Sequence, residues 1–323
     1  MNYCMQAIKR RYKFDLDTPP DERWKDVFSD FKKKLPEIKD MIESMIPNWI
    51  GICAKLVIDK KNALYYDELL YIAKMLNVGI EKLVLMQLLY EASTACTSIV
   101  TNVGHERVLF RTMDWDMPLL KSLTIELEYI SGGKTLFVAP VWVGSVGIFT
   151  LNIPGKYSMA LNYRRTKNVG SWDLLENVYR AFNMSWPISY LLRHIAESKM
   201  DYADAVKALE SSQLIAPCYI TICSPDYAAV ITRDVKTFTT RKCTEYLIQT
   251  NRDYISNESK DNIMMSIERY EHAEKQILKN KNNFSSEAEL VKTMMTHPIY
   301  QPCTVYFSLM SSTNIITFVC EKS

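Results

Sequence analysis

The sequence predicts an α+β fold built from layered sheets, and three observations carry that reading. Stretches rich in β-branched and aromatic residues alternate with stretches of helical periodicity. The alternation lacks the strand–helix–strand rhythm of a parallel sheet. Finally, 323 residues, of which 48% are hydrophobic, can build a large core.

The elements follow in order. Pro19-Pro20 ahead of Asp21-Glu22-Arg23-Trp24 is a helix start, with proline entering the first turn and acids behind it. Apolar residues then recur at helical spacing through Val27, Phe28, Phe31, Leu35, Ile38, Ile42 and Met45, until Pro47 breaks the pattern. Residues 49–58 are apolar nearly all round, which suits either a buried helix or contact with a membrane surface. Two more helices are expected over 67–75 and 80–90, so residues 19–95 read as helical. At Cys96 the texture changes. Strands are expected over 97–101, 108–111, 123–130, 135–138 and 141–150, with a hairpin turn at Ser131-Gly132-Gly133-Lys134. Strands this close together pair antiparallel, because parallel pairs need long crossovers. Helices over 172–182, 187–197 and 202–211 precede strands over 218–223, 228–232 and 246–249. Helices over 262–278 and 286–295 then lead to closing strands over 304–308 and 315–320.

Composition excludes several functions. A net charge of +2 predicts no nucleic-acid partner, and Lys32-Lys33-Lys34 and Arg164-Arg165 read as solvated faces. The eight cysteines form no disulfide framework, and the four histidines lack metal-ligand spacing, so neither metal nor cofactor is expected. Lys9-Arg10-Arg11 is not followed by an apolar run, so the start does not read as a signal peptide: either the protein is intracellular, which points to the cytoplasm, or the sequence lacks its leader. No run reaches the roughly 18 apolar residues of a spanning helix.

One position stands out chemically. Cys96 opens the strand-rich half, and Arg111 and Asp114 return on the strand expected to pair beside it. A cysteine nucleophile must reach its thiolate, which takes a base or a nearby cation. His105 sits in a turn between the two strands, away from Cys96, and is a poor base. A nucleophile that is the first residue of a cleaved chain has its own base, an α-amino group with a pKa of about 8. Such a site also needs a carboxylate, an arginine and an oxyanion donor. The alternative is structural: buried cysteines usually act as small hydrophobes, and an Arg–Asp pair is commonly an ion pair. The residues alone leave both readings open.

Cys96-Thr97-Ser98-Ile99-Val100 followed by Arg111-Thr112-Met113-Asp114-Trp115 resembles the signature of the acid ceramidase and N-acylethanolamine-hydrolysing acid amidase family. The likeness continues through Leu16-Asp17-Thr18-Pro19-Pro20 with Arg23-Trp24, Tyr90-Glu91, Val143 to Thr150, Val230 to Asp234, Gln249 to Asp253, and Thr304-Val305-Tyr306. It implies a four-layer αββα N-terminal-nucleophile hydrolase fold, with a helical α-segment at 1–95 and a catalytic β subunit at 96–323. It further implies self-cleavage between Ala95 and Cys96, after which the two fragments stay associated. The activity it implies is hydrolysis of a fatty-acyl amide, a lipid substrate, in a lysosomal setting. By resemblance Cys96 is the nucleophile, Arg111 and Asp114 position it, and Asn251 stabilises the oxyanion. Asn162 and Tyr163 face the substrate, and Met113, Trp115, Trp142 and Phe149 are candidate lining for the acyl chain. Two departures stand out. Tyr163 replaces the glutamate that relatives use near the substrate and in processing. The arginine-bearing segment after Asn251 is missing, with Lys260 the remaining candidate. These departures keep open an unprocessed lipid-binding relative, or an amidase that prefers ceramide or N-acyl amino acids.

Overall fold

Two sheets face each other and carry helices on both outer surfaces. This computed structural model describes residues 3–8, 10–46, 51, 63–89, 94–164, 185–243, 245–254 and 262–322. The expectations for 49–58, Tyr90-Glu91, the helix over 172–182 and Lys260 fall wholly or mainly outside those residues.

The chain opens with two short strands that the sequence reading passed over, β1 (Tyr3–Ala7) and β2 (Arg11–Asp15). Four helices follow: α1 (Pro20–Asp30), α2 (Leu35–Met45), α3 (Tyr66–Leu76) and α4 (Ile80–Leu89). Next comes a hairpin of β3 (Ala95–Val103) and β4 (Glu106–Asp114), a short helix α5 (Leu119–Leu123), and a second hairpin of β5 (Thr124–Ser131) and β6 (Lys134–Trp142). The single strand expected over 141–150 is instead broken. β6 ends at Trp142, the chain turns through 143–149, and β7 (Thr150–Ile153) begins beyond. Gly144 explains the break, because its φ of +83° is a left-handed conformation that a side chain would strain. β8 (Tyr157–Tyr163) pairs back onto β7.

Helices α6 (Ile188–Glu197) and α7 (Tyr202–Ser211) lie close to their expected bounds. Asp201 caps α7 by accepting from the Asp204 amide at 2.9 Å, satisfying a donor that the first turn would otherwise leave bare. Strands β9 (Cys218–Cys223), β10 (Ala228–Arg233), β11 (Phe238–Lys242) and β12 (Leu247–Gln249) come next. Helix α8 (Ser266–Lys279), strand β13 (Asn283–Phe284), helix α9 (Glu287–Met294) and strands β14 (Thr304–Met310) and β15 (Ile315–Lys322) close the chain.

One sheet runs β1-β15-β14-β4-β3-β12, with β13 also against β3; the other runs β11-β10-β9-β8-β7-β6-β5-β2. Pairing is antiparallel except for β2 on β5 and β13 on β3. Val100, Leu109, Val138, Ala160 and Val230 fill the space between the sheets. Ile99, Phe110, Ala273, Ile277 and Phe307 form a second core under α8 and α9. The largest core joins the eight-stranded sheet to α1–α4, α6 and α7. Among the described residues no helix is long and apolar enough to cross a membrane.

Phe307 is fully buried and stacks on Phe318 with ring centroids 4.7 Å apart. Phe307→Ala should cost about 3–5 kcal/mol in urea unfolding. A loss below about 1 kcal/mol would mean that the second core does not anchor the outer helices.

Candidate active site

The β3/β4 hairpin sets the geometry. Its register places Cys96 opposite Met113, Ser98 opposite Arg111 and Ala95 opposite Asp114. Side chains alternate along a strand, so Cys96, Ser98 and Val100 face the other sheet while Thr97, Ile99 and Thr101 face the outer helices. Arg111 shares the Cys96 face. It is fully buried and donates from Nη2 to the Cys96 Sγ at 3.2 Å and to the Leu161 carbonyl at 2.9 Å. Its Nη1 donates to the Tyr306 hydroxyl at 3.2 Å. Asp114, three residues on, projects toward the helical side and accepts from Thr304 Oγ1 at 2.6 Å and Thr112 Oγ1 at 3.3 Å.

Asn251 sits past the end of β12 and meets the backbone on both sides of the Ala95–Cys96 bond. Its Oδ1 accepts from the Cys96 amide at 2.9 Å. Its Nδ2 donates to the Tyr163 carbonyl at 2.8 Å and to the Thr94 carbonyl at 3.5 Å. Asn162, expected against the substrate, is fully buried and braces the site. It accepts from Ser98 Oγ at 2.7 Å and donates to the Gln249 and Cys96 carbonyls at 2.8 and 3.3 Å. Tyr163 contributes its backbone carbonyl, and its side chain is half-buried.

A residue absent from the sequence reading completes the site. Arg269, on the second turn of α8, is fully buried and donates to the Cys96 carbonyl at 2.6 Å, Thr97 Oγ1 at 2.8 Å and Asn251 Oδ1 at 2.9 Å. The sequence held a signal for it. Ser266, Arg269, Ala273 and Ile277 recur at helical spacing on the buried face of α8, so the arginine sits in an apolar stripe.

The candidate acyl lining divides. Met113 is buried against the thiol, its Sδ 3.9 Å from Cys96 Sγ. Trp142 packs against Trp115 and Phe149 at 5.6 Å each and against Tyr306 at 6.4 Å, all buried. Trp115 also lines an open cleft of about 610 Å³ with Met117, Pro118, Met264, Pro302 and Cys303. His105 is exposed at the turn between β3 and β4, at the far end of the strands from Cys96.

Burial dominates the electrostatics. It pushes the Cys96 thiol up; Arg111 and Arg269 pull it down and Asp114 pushes it up further. Burial also pushes the Asp114 carboxyl up, against Arg269, the Thr304 hydroxyl and Arg111. The Arg269 guanidinium is pushed down by burial, with Asp114 and Cys96 opposing. A carboxyl raised on folding contributes stability that is present below its ordinary pKa and is lost as pH rises through the folded value. In an uncleaved Cys96→Ala background, Asp114→Asn should therefore gain melting temperature relative to its parent between about pH 4 and about pH 7. A constant or shrinking difference would contradict this assignment.

Comparisons with known proteins place the chain among its relatives. A family model described as the beta subunit of N-acylethanolamine-hydrolyzing acid amidase matches residues 10–58. An uncharacterized protein of Acanthamoeba polyphaga mimivirus is 33% identical over 307 residues, covering 92% of this chain and 94% of that protein. Acid ceramidase of Heterocephalus glaber is 27% identical, covering 94% and 83% respectively. The solved structure of the Caenorhabditis elegans N-acylethanolamine-hydrolyzing acid amidase ortholog superposes with a TM-score of 0.59 at 25% identity, covering 67% of this chain and 93% of that one. The four layers are thus the αββα arrangement of N-terminal-nucleophile hydrolases, and the chain belongs to the acid ceramidase and N-acylethanolamine-hydrolysing acid amidase family.

Proposed function

We propose that this protein is a fatty-acyl amide hydrolase that cuts its own chain before Cys96 and then works through a Cys96 acyl-thioester. The observation that carries this reading is the pairing of Cys96 Sγ with Arg111, while Asn251 holds the Cys96 nitrogen. A thiol with a cation and no histidine beside it suits a nucleophile whose base is its own amine.

In the uncut chain the Cys96 nitrogen is an amide and the thiol is buried, a resting arrangement. Attack of Sγ on the Ala95 carbonyl shifts the acyl group from N to S. Water then hydrolyses the thioester, leaving the Ala95 carboxylate and a free Cys96 amine. The cut also acts on Asn251. Its Oδ1, which now accepts from the amide, remains to orient the amine, and movement of Thr94 away from Nδ2 releases an N–H for an oxyanion. In turnover the thiolate attacks the substrate carbonyl, and the α-ammonium protonates the leaving amine. The Cys96 α-amine, neutral once it has given up that proton, then activates the water that hydrolyses the acyl-thioester. Arg269 fixes the Cys96 carbonyl and the Asn251 oxygen together and so orients the strand end that carries the nucleophile. The buried wall of Met113, Trp142 and Phe149 and the cleft at Trp115 suit an acyl chain.

N-terminal sequencing and intact mass after incubation at about pH 4.5 and about pH 7 read the processing step directly. Wild type should yield a fragment beginning at residue 96, and Cys96→Ala should yield none and hydrolyse no acyl amide. Turnover in Cys96→Ala would end the mechanism. A wild-type chain that stays whole at both pH values would favour the lipid-binding reading that Tyr163 keeps alive. Tyr163→Glu should process faster if the missing carboxylate limits cleavage, since a phenol with a pKa of about 10 is a poor base in this range. A panel with one acyl chain on ethanolamine, sphingoid and amino-acid amines then assigns the head group.

A further inference from the structure

The turn over 143–149 is not strand-paired: backbone bonds tie Val143 to Leu123, Ile148 to Ser189 and Phe149 to Leu161, and its middle is held by side chains, of which Gln87 comes from the segment ahead of Cys96. Gln87 on α4 is buried and bonds the turn twice. Its Nε2 donates to the Gly144 carbonyl at 3.2 Å, and its Oε1 accepts from the Val146 amide at 2.9 Å. The amide thus acts as a one-residue strand partner. A Cβ on Gly144 would lie 3.4 Å from Ile72 and 3.6 Å from Leu76, so α3 packs directly against the turn. The Val146 carbonyl accepts from Arg193 Nη1 at 3.1 Å, and Arg193 is gripped by both Glu68 oxygens at 2.9 and 2.8 Å. Glu68 in turn accepts from Trp24 Nε1 at 3.1 Å and Arg23 Nη1 at 3.4 Å, the arginine and tryptophan of the helix-start motif.

The two ends of this turn reach the nucleophile. Trp142 at one end packs on Tyr306, and Thr150 just past the other bonds the Tyr306 hydroxyl at 3.0 Å. That hydroxyl accepts from Arg111 Nη1, whose Nη2 meets the Cys96 Sγ. A continuous path therefore runs from Gln87 through the turn to Tyr306, Arg111 and the thiol.

We propose that Gln87 is a positioning residue for Cys96, by which the segment 1–95 sets the Arg111 guanidinium against the thiol. The proposal rests on the reading of Cys96 as nucleophile. Gln87→Leu removes both bonds and leaves the buried Gly144 carbonyl and Val146 amide without that partner, so the turn relaxes and Arg111 loosens from the sulfur.

The test is the pH profile of iodoacetamide alkylation, read at the Cys96 peptide by mass spectrometry, alongside kcat and KM on a fatty-acyl amide. Gln87→Leu should shift the alkylation midpoint to higher pH and lower kcat about ten-fold with KM nearly unchanged. Ile42→Val, a packing change in the same segment, should leave midpoint and kcat unmoved. Gln87→Glu, which when protonated can both donate and accept, should restore the wild-type kcat at acidic pH. If Gln87→Leu does not fold, Gln87→Met serves in its place. A melting temperature that falls in Gln87→Leu while midpoint and kcat stay at wild type would overturn the proposal. Alkylation needs no substrate, so a wild type inactive on every amide would sink the proposed function while the midpoint still reads the coupling.

Discussion

Everything at the site turns on the Asn251 amide. Its four hydrogen-bonding positions are assigned by their surroundings: two donors, the Cys96 amide and Arg269, face its oxygen, and two carbonyls, those of Tyr163 and Thr94, face its nitrogen. A flipped amide would set donor against donor and acceptor against acceptor in a buried space, which is costly. One side chain thus ties together the start of β3, the end of β8 and the second turn of α8. Asn162 repeats the device one layer inward, tying Ser98, the Cys96 carbonyl and the strand end before Asn251.

Arginines are buried in different layers of this fold. Arg111, Arg193 and Arg269 are all fully buried. Arg193 offsets its desolvation with a bidentate carboxylate, the arrangement that burial of a charge ordinarily requires. Arg111 and Arg269 instead spend their donors mainly on carbonyls, a hydroxyl and the thiol. Their charge is therefore left to act on the sulfur. The price is the raised Asp114 carboxyl, which burial keeps from neutralising them outright.

Much of this was legible in the sequence where contacts are local. The β3/β4 hairpin brings Cys96 and Arg111, 15 residues apart, back together across a single turn, so strand periodicity put them on one face. Most elements after residue 185 also emerged near their observed bounds, because their periodicity is strong; β11 and the two-residue β13 went unread. What stayed hidden was non-local. Arg269 reaches Cys96 from 173 residues away, and the only sequence cue is its place in a helical stripe. Strands β1 and β2 are five residues each and their partners lie on β15 and β5; Arg11 to Asp15 alternates polar and apolar, but the run is too short to announce a strand by itself. The turn at 143–149 was read as strand because its residues are apolar, although Gly144 and the Gln87 bonds forbid extended pairing there.

Those two N-terminal strands carry a consequence for a chain cut before Cys96. β1 closes one edge of the seven-stranded sheet and β2 closes one edge of the eight-stranded sheet. Under the proposed cut, the covalent connectivity would change while the ladders of β1 on β15 and β2 on β5 would still stitch the first fragment into both sheets. Its departure would uncover two rows of unpaired backbone donors and acceptors, the kind of template on which chains aggregate. In this architecture the leading segment is not a removable plug. It is the selvedge of the fabric, and the proposed cut beside it would free an amine without freeing a chain.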